Sequence, residues 1–101
     1  MADSAKESAY QRRLIDRIES LLPDCFIIKL DPDQYQGIPD LLILFEDKWA
    51  ALEVKVSEQA PVQPNQEYYV DLFNKLSFAA FIFPDIEDDV LAELVEKMGG
   101  E

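Results

Sequence analysis

Leu41-Leu42-Ile43-Leu44-Phe45 is apolar at five consecutive positions. Such a run suits a strand covered on both faces better than one with a wet side. Pro39–Phe45 therefore reads as a strand, Glu46-Asp47-Lys48 as a tight connection, and Trp49–Ser57 as a second strand completing a hairpin. The alternation of the second strand puts Ala51, Glu53, Lys55 and Ser57 on one face and Ala50, Leu52, Val54 and Val56 on the other. A strand core that accepts two neighbouring charges on one face needs a reason, because an unpaired buried charge is costly and such groups are usually paired or bound to metal.

The flanking sequence supplies covering layers. Residues 5–22 carry Tyr10, Leu14, Ile18 and Leu21 at helical spacing, widened by Ile15 and Leu22, and Pro23-Asp24 ends the pattern. Cys25–Leu30 is a short apolar run and reads as the strand before the hairpin; Asp31–Gly37 is a loop by its Pro, Gly, Asp and Gln content. Glu58–Pro64 is a second loop. Residues 65–77 form a helix with Gln66, Tyr69, Val70, Phe73 and Leu76 on one face. Phe78–Phe83 is a fourth buried strand closed by Pro84, and Ile86–Met98 is a last helix capped by Gly99-Gly100. The order helix, three strands, helix, strand, helix predicts an α/β fold over residues 1–101 as one domain. Its third and fourth strands are parallel through a helical crossover.

Composition narrows the chemistry. The 101 residues contain no histidine, which removes Ser-His-Asp and Cys-His catalysis and His-ligated zinc. Carboxylates, lysine and tyrosine remain, with a metal held by oxygen ligands. The lone Cys25 has no partner for an internal disulfide and reads as a small buried hydrophobe. No apolar run is long enough to span a membrane, and the polar start MADSAKESAYQRR has no signal-peptide character, so an intracellular, cytoplasmic setting is expected. The net charge is −12, against the usual basic footprint of a nucleic-acid binder. Its distribution is uneven: residues 1–22 balance four basic against four acidic groups and hold all three arginines, Arg12, Arg13 and Arg17.

Asp40 opens one hairpin strand and Glu53 and Lys55 lie in the next. Hydrolysis of a phosphodiester needs negative charge neutralised at phosphorus and a water made nucleophilic near neutral pH, which a hydrated Mg²⁺ on one or two carboxylates can supply. Asp40 and Glu53 are candidate ligands, with the Val54 carbonyl as a third. Lys55 would orient or help deprotonate the attacking water.

Gly37-Ile38-Pro39-Asp40-Leu41, a hairpin, then Glu53-Val54-Lys55 resembles the signature of the PD-(D/E)XK nuclease superfamily, and in particular its VRR-Nuc group and phage junction-resolving endonucleases. The resemblance covers about residues 8–84. It implies a restriction-endonuclease-like αβββαβ core, a mixed four-stranded sheet flanked by helices, with the C-terminal helix added. It also implies a Mg²⁺- or Mn²⁺-dependent DNA endonuclease, structure-selective in its cutting and working in a bacterial cell or phage-infected host. It would act as a homodimer or within a larger nucleic-acid-processing assembly. By position, Asp40, Glu53 and Lys55 match the metal ligands and the lysine, Glu19 the first-helix carboxylate that several members add to the metal site, and Gln66 the glutamine that opens the next helix. Tyr69, one turn on, would contact a phosphate, as would Arg12, Arg13 and Arg17. Where the VRR-Nuc group often carries basic residues after the lysine, this chain has Val56, Ser57 and Glu58.

Plainer readings stand beside these. An Asp after Ile-Pro is a common turn cap. Glu53 and Lys55 would also make a same-face ion pair on an open sheet. Glu19 and the arginines suit a solvated helix face. The charge of −12 fits a non-catalytic acidic protein on the same scaffold, such as a DNA mimic, an inhibitor or an assembly subunit.

Overall fold

A computed structural model describes residues 2–99, with side chains from Ala5 onward. The elements are α1 (Ala2–Leu21), β1 (Phe26–Lys29), β2 (Leu41–Phe45), β3 (Lys48–Val54), α2 (Pro64–Leu76), β4 (Phe78–Ile82) and α3 (Glu87–Met98). A single 3-10 turn, Pro84–Ile86, precedes α3. The predicted order is the observed one, and the differences are at boundaries. Helix α1 begins at Ala2, three residues before the predicted start at residue 5. Lys48 belongs to β3, because the hairpin turns on two residues, Glu46 and Asp47, with Phe45 paired to Lys48. Glu46 takes the left-handed backbone (φ 57) that such a turn demands. Strand β3 stops at Val54, so Lys55 and Ser57 lie just past it rather than within it. Gly99 caps α3 at φ 76, its N–H returning to Glu96 and Val95; Gly100 lies outside the described residues.

The sheet order is β1-β2-β3-β4. The first three strands pair antiparallel and β3 pairs parallel with β4, so α2 is the crossover between them. One face is covered along all four strands; on the other, α2 covers β3 and β4 and leaves Phe26 and Leu44 exposed, so the cover on both faces expected for the β2 run is found on one face only. On one face Leu41, Ile43, Ala50, Leu52, Val54, Phe78 and Ile82 meet the buried stripes of α1 (Tyr10, Leu14, Ile18) and α3 (Val90, Leu91, Leu94, Met98). On the other, Ala51 and Ala79 meet Val70 of α2, with Trp49, Phe73 and Phe81 packed round them. No helix among the described residues is long and apolar enough to cross a membrane.

Candidate functional site

The antiparallel hairpin places the start of β2 beside the end of β3, Leu41 facing Leu52. Asp40, one residue before β2, is thereby carried to the last turn of β3, where its Oδ2 accepts a hydrogen bond from Val54 N at 2.8 Å. Lys55 N donates to Ile82 O across the parallel ladder. Val54, one residue earlier, directs its peptide groups to the opposite side, toward Asp40. The turn-cap reading of Asp40 is thus replaced by a tertiary role, since its partner is 14 residues away.

Glu53 points to the α2 side and is 3% exposed. The first turn of α2 delivers Gln66 to it: Gln66 Nε2 donates to Glu53 Oε2 at 2.9 Å. The other end of the same amide is equally committed. Gln66 Oε1 accepts from Lys55 Nζ at 2.8 Å and from Gln63 N at 3.0 Å, so one side chain caps the helix and bridges the acid to the base. Lys55 Nζ also donates to Pro61 O at 2.9 Å and stands 3.5 Å from Glu53 Oε2. The open-sheet ion-pair reading fails here, because both partners are withdrawn from solvent. Glu53 Oε1 is buried and has no hydrogen-bond partner, an expensive omission in a purely structural acid.

The electrostatics follow from this crowding. Burial, then the nearby Asp40 carboxylate, pushes the Glu53 carboxyl up to about 8, with Lys55 pulling the other way. Burial also raises Asp40, against the Val54 N–H and Lys55, which lower it. Two carboxyls that resist ionising side by side form a site that favours a cation.

Two groups placed by sequence elsewhere need correction. Glu19 is exposed and acts electrostatically on Cys25, far along α1 from Asp40. The first-helix acid at the site is Glu7, whose carboxyl is raised by burial and by Asp40, with Lys55 opposing. The signal for Glu7 was present: it precedes Tyr10 by three and Leu14 by seven, on the line of the buried stripe itself, whereas Glu19 lies on its edge. Arg17 spans to α3, paired with Glu87 and with Asp88 at 2.8 Å, so it ties helices together. Arg12 is exposed, and Arg13 lines a cleft with Lys6, Tyr10 and Val56. Tyr69 is half-buried, edge-on to Tyr68 and Phe73 at 5.1 and 6.0 Å. Among the described residues, no three Asp, Glu, Cys or His side chains close round one point. The acids available to an ion here are Asp40 and Glu53, with Glu7 more remote.

No protein-family model and no curated protein matches the chain. Two solved structures do. One, described as "VRR_NUC domain", has a TM-score of 0.67 and 26% identity, covering 90% of this chain and 95% of its own. The other, "VRR_NUC domain protein", has a TM-score of 0.61 and 16% identity, with 90% and 88% covered.

Proposed function

Starting from a chain that is a VRR-Nuc nuclease-like domain, we propose that it is a Mg²⁺- or Mn²⁺-dependent DNA endonuclease working at Asp40, Glu53 and Lys55. The observation that carries this reading is the Glu53 carboxyl: buried, short of one partner and beside a second acid. The donor set fits a hard divalent ion, which keeps several waters and takes one or two carboxylates. Asp40, Glu53 and the Val54 carbonyl would hold it. When bound, it would supply Lewis acidity toward the phosphate and lower the pKa of a coordinated water.

The side chains themselves divide the remaining work. Lys55, held by Gln66 and Pro61 O, keeps a positive charge and a hydrogen-bond donor where the attacking water and a phosphate oxygen meet. Gln66 is a positioning residue. It fixes the orientation of both Glu53 and Lys55 and denies Glu53 Oε2 to solvent. Burial of the acid excludes bulk water and strengthens each of these contacts. Arg12 and Arg13 are the arginines left to meet phosphate, since Arg17 is engaged with α3. DNA is the expected partner, and a homodimer or a larger assembly would supply a second cutting site.

The test is cleavage of supercoiled plasmid and of a branched junction at low salt in Mg²⁺ or Mn²⁺. Wild-type protein should cut, and Glu53→Ala and Lys55→Ala should each lose about 10²-fold or more. A folded wild-type protein that cuts neither substrate in either metal would favour the second reading, a non-catalytic acidic protein on the same scaffold, which the net charge of −12 supports.

A further inference from the structure

The sheet has two helices on one face and one on the other. Strands lie about 4.8 Å apart and a helix with its side chains is about 10 Å across, so one helix covers two strands and four strands take two helices. Helices α1 and α3 meet that requirement on their side. On the other side α2 lies against β3 and β4, and the half-sheet of β1 and β2 is left open.

The open half is apolar. A shallow depression of about 480 Å³ has Leu30, Leu42, Leu44, Trp49, Phe73 and Leu76 in its wall, and no charged side chain. Trp49 and Phe73 meet there edge to face, ring centres 5.7 Å apart. Phe26, paired with Leu44, is 65% exposed, and Leu76 is 66% exposed. Single exposed apolar residues are ordinary, but a contiguous set marks a surface that something covers.

The charges beside the depression say what kind of partner fits. The strand register puts Phe26 beside Leu44 at the hairpin end and Lys29 beside Leu41 at the other. Glu46 and Asp47 stand exposed at the hairpin end, and Asp31 and Asp33, which follow Leu30, stand exposed at the other. Lys48 is paired to Asp47 at 3.1 Å. Lys29, opposite Leu41, faces the α1/α3 side. A second copy would bring the same acids, and the same net charge of −12, against this surface. A helix with an apolar stripe bordered by Lys or Arg would set apolar against apolar and base against acid.

We propose that the β1–β2 half of this face docks a basic amphipathic helix of another protein, lying beside α2 as the second helix of its layer. Leu44, Phe73 and Leu76 meet its apolar stripe, and Asp31 and Asp47 meet its cations. The five residues of β2 span about 17 Å, or about 11 residues of helix, which suits apolar contacts at i, i+3 and i+7. The inference does not depend on the nuclease reading, since Asp40, Glu53 and Lys55 take no part in the wall.

The experiment pans a displayed library of random peptides, about 16 residues long, against the purified protein. Binding of the labelled consensus peptide is then measured by fluorescence anisotropy. The selected peptides should carry apolar residues at i, i+3 or i+4 and i+7, with Lys or Arg between them. Leu44→Lys/Leu76→Lys should weaken the consensus peptide at least about 10-fold, the scale of a lost apolar anchor. Asp31→Lys/Asp47→Lys leaves the apolar wall intact. It should also weaken that peptide about 10-fold, and it should bind the version whose Lys and Arg are changed to Glu better than wild type does. Leu21→Lys, at an exposed leucine ending α1, should change nothing. No enrichment, a consensus without basic residues, an alternating consensus that fits the free edge of β1, or wild-type binding by either double variant would each overturn the proposal. So would a wild-type dimer in sedimentation that Leu44→Lys/Leu76→Lys dissociates, which gives the face to a second copy.

Discussion

The two faces of the sheet are built differently. On the α1/α3 side, fifteen buried residues from the sheet and from the segments of α1 and α3 join in one cluster. On the α2 side the buried cluster has three members, two of them alanines. Helix α2 covers β3 and β4, and the same face of β1 and β2 is left open, with Phe26 65% and Leu44 36% exposed. The charged groups of the site lie at the end of the thin face, where the first turn of α2 reaches Glu53. Stability is therefore concentrated on one side of the sheet, and on the other a buried acid is tolerated because little packing depends on it.

The largest expected effect tests that division. Leu52 is fully buried among the α1 and α3 side chains, so Leu52→Ala should cost about 3 kcal/mol. For a domain of this size that lowers Tm by more than 10 °C. Val70→Ala on the thin face should cost about 1 kcal/mol, the loss expected for fewer removed atoms in looser surroundings. Equal losses by thermal melting would mean the two faces share the load.

That asymmetry was only partly legible in the sequence. The five-residue apolar run of β2 predicts cover on both faces, but only its Leu41/Ile43 side is covered, by the stripes of α1 and α3, and Leu44 on the other side stays 36% exposed. Nothing in the residue order said that both helices would take the same face, because that depends on crossover geometry. The site divides similarly. Asp40, Glu53, Lys55 and Gln66 were readable from strand ends, alternation and a polar residue on an apolar helix face, and the fold brings them together. Glu7 lies in the polar first turns of α1, where a carboxylate suits the helix dipole, so only its place on the line of the buried stripe marks it. The pairing of Arg17 with Glu87 and Asp88 is not legible in the sequence, because those partners are 70 or more positions away.

The next effect is on the thin face. The Glu53 carboxyl is raised from 4.5 to about 8. Between those values the native protein holds a proton that the unfolded chain has released. Metal-free stability should therefore fall as pH rises from about 4.5 to 8 and level off beyond, with a slope of up to about 1.4 kcal/mol per pH unit. Because neighbouring charges share the shift, the integrated loss should be on the order of 2 kcal/mol. Glu53→Gln should remove most of the slope, leaving what the raised Asp40 and Glu7 carboxyls contribute, and should melt higher than wild type at pH 8 in EDTA. Mg²⁺ at 100 times its Kd should restore about 2.7 kcal/mol to wild type at that pH and nothing to the variant. A flat wild-type profile would refute the burial of an acid at this position.

Gly37 couples the thin face to the loop before Asp40. It sits at φ 91, and a Cβ there would meet Asn65 Cβ at 2.4 Å and Asn65 carbonyl carbon at 2.8 Å. Gly37→Ala should cost about 1–2 kcal/mol from the backbone conformation. It should also push the loop off the start of α2, shifting Gln66 from Glu53 and Lys55 and lowering kcat more than stability alone explains. Gly37→Ala with unchanged kcat and an ordinary melting curve would show that the loop and α2 are not held against each other.

The smallest effect is the sharpest test of what the thin face does in solution. Phe26 lies on edge strand β1 opposite Leu44, on the side α2 leaves open. In a lone chain Phe26→Lys removes little packing and places a lysine where sheet edges commonly carry one, so the change in unfolding free energy should stay within about 0.5 kcal/mol. The prediction inverts if this face is covered by another copy. A lysine would then be buried against Leu44 and Trp49, the cost would exceed about 1 kcal/mol, and it would grow with protein concentration because folding and association are linked. Melting at two concentrations, with sedimentation of wild type and variant, separates the cases. A concentration-independent, near-neutral result means that the open half of the sheet is tolerated as bare apolar surface, and that the weak side of the molecule is weak by itself.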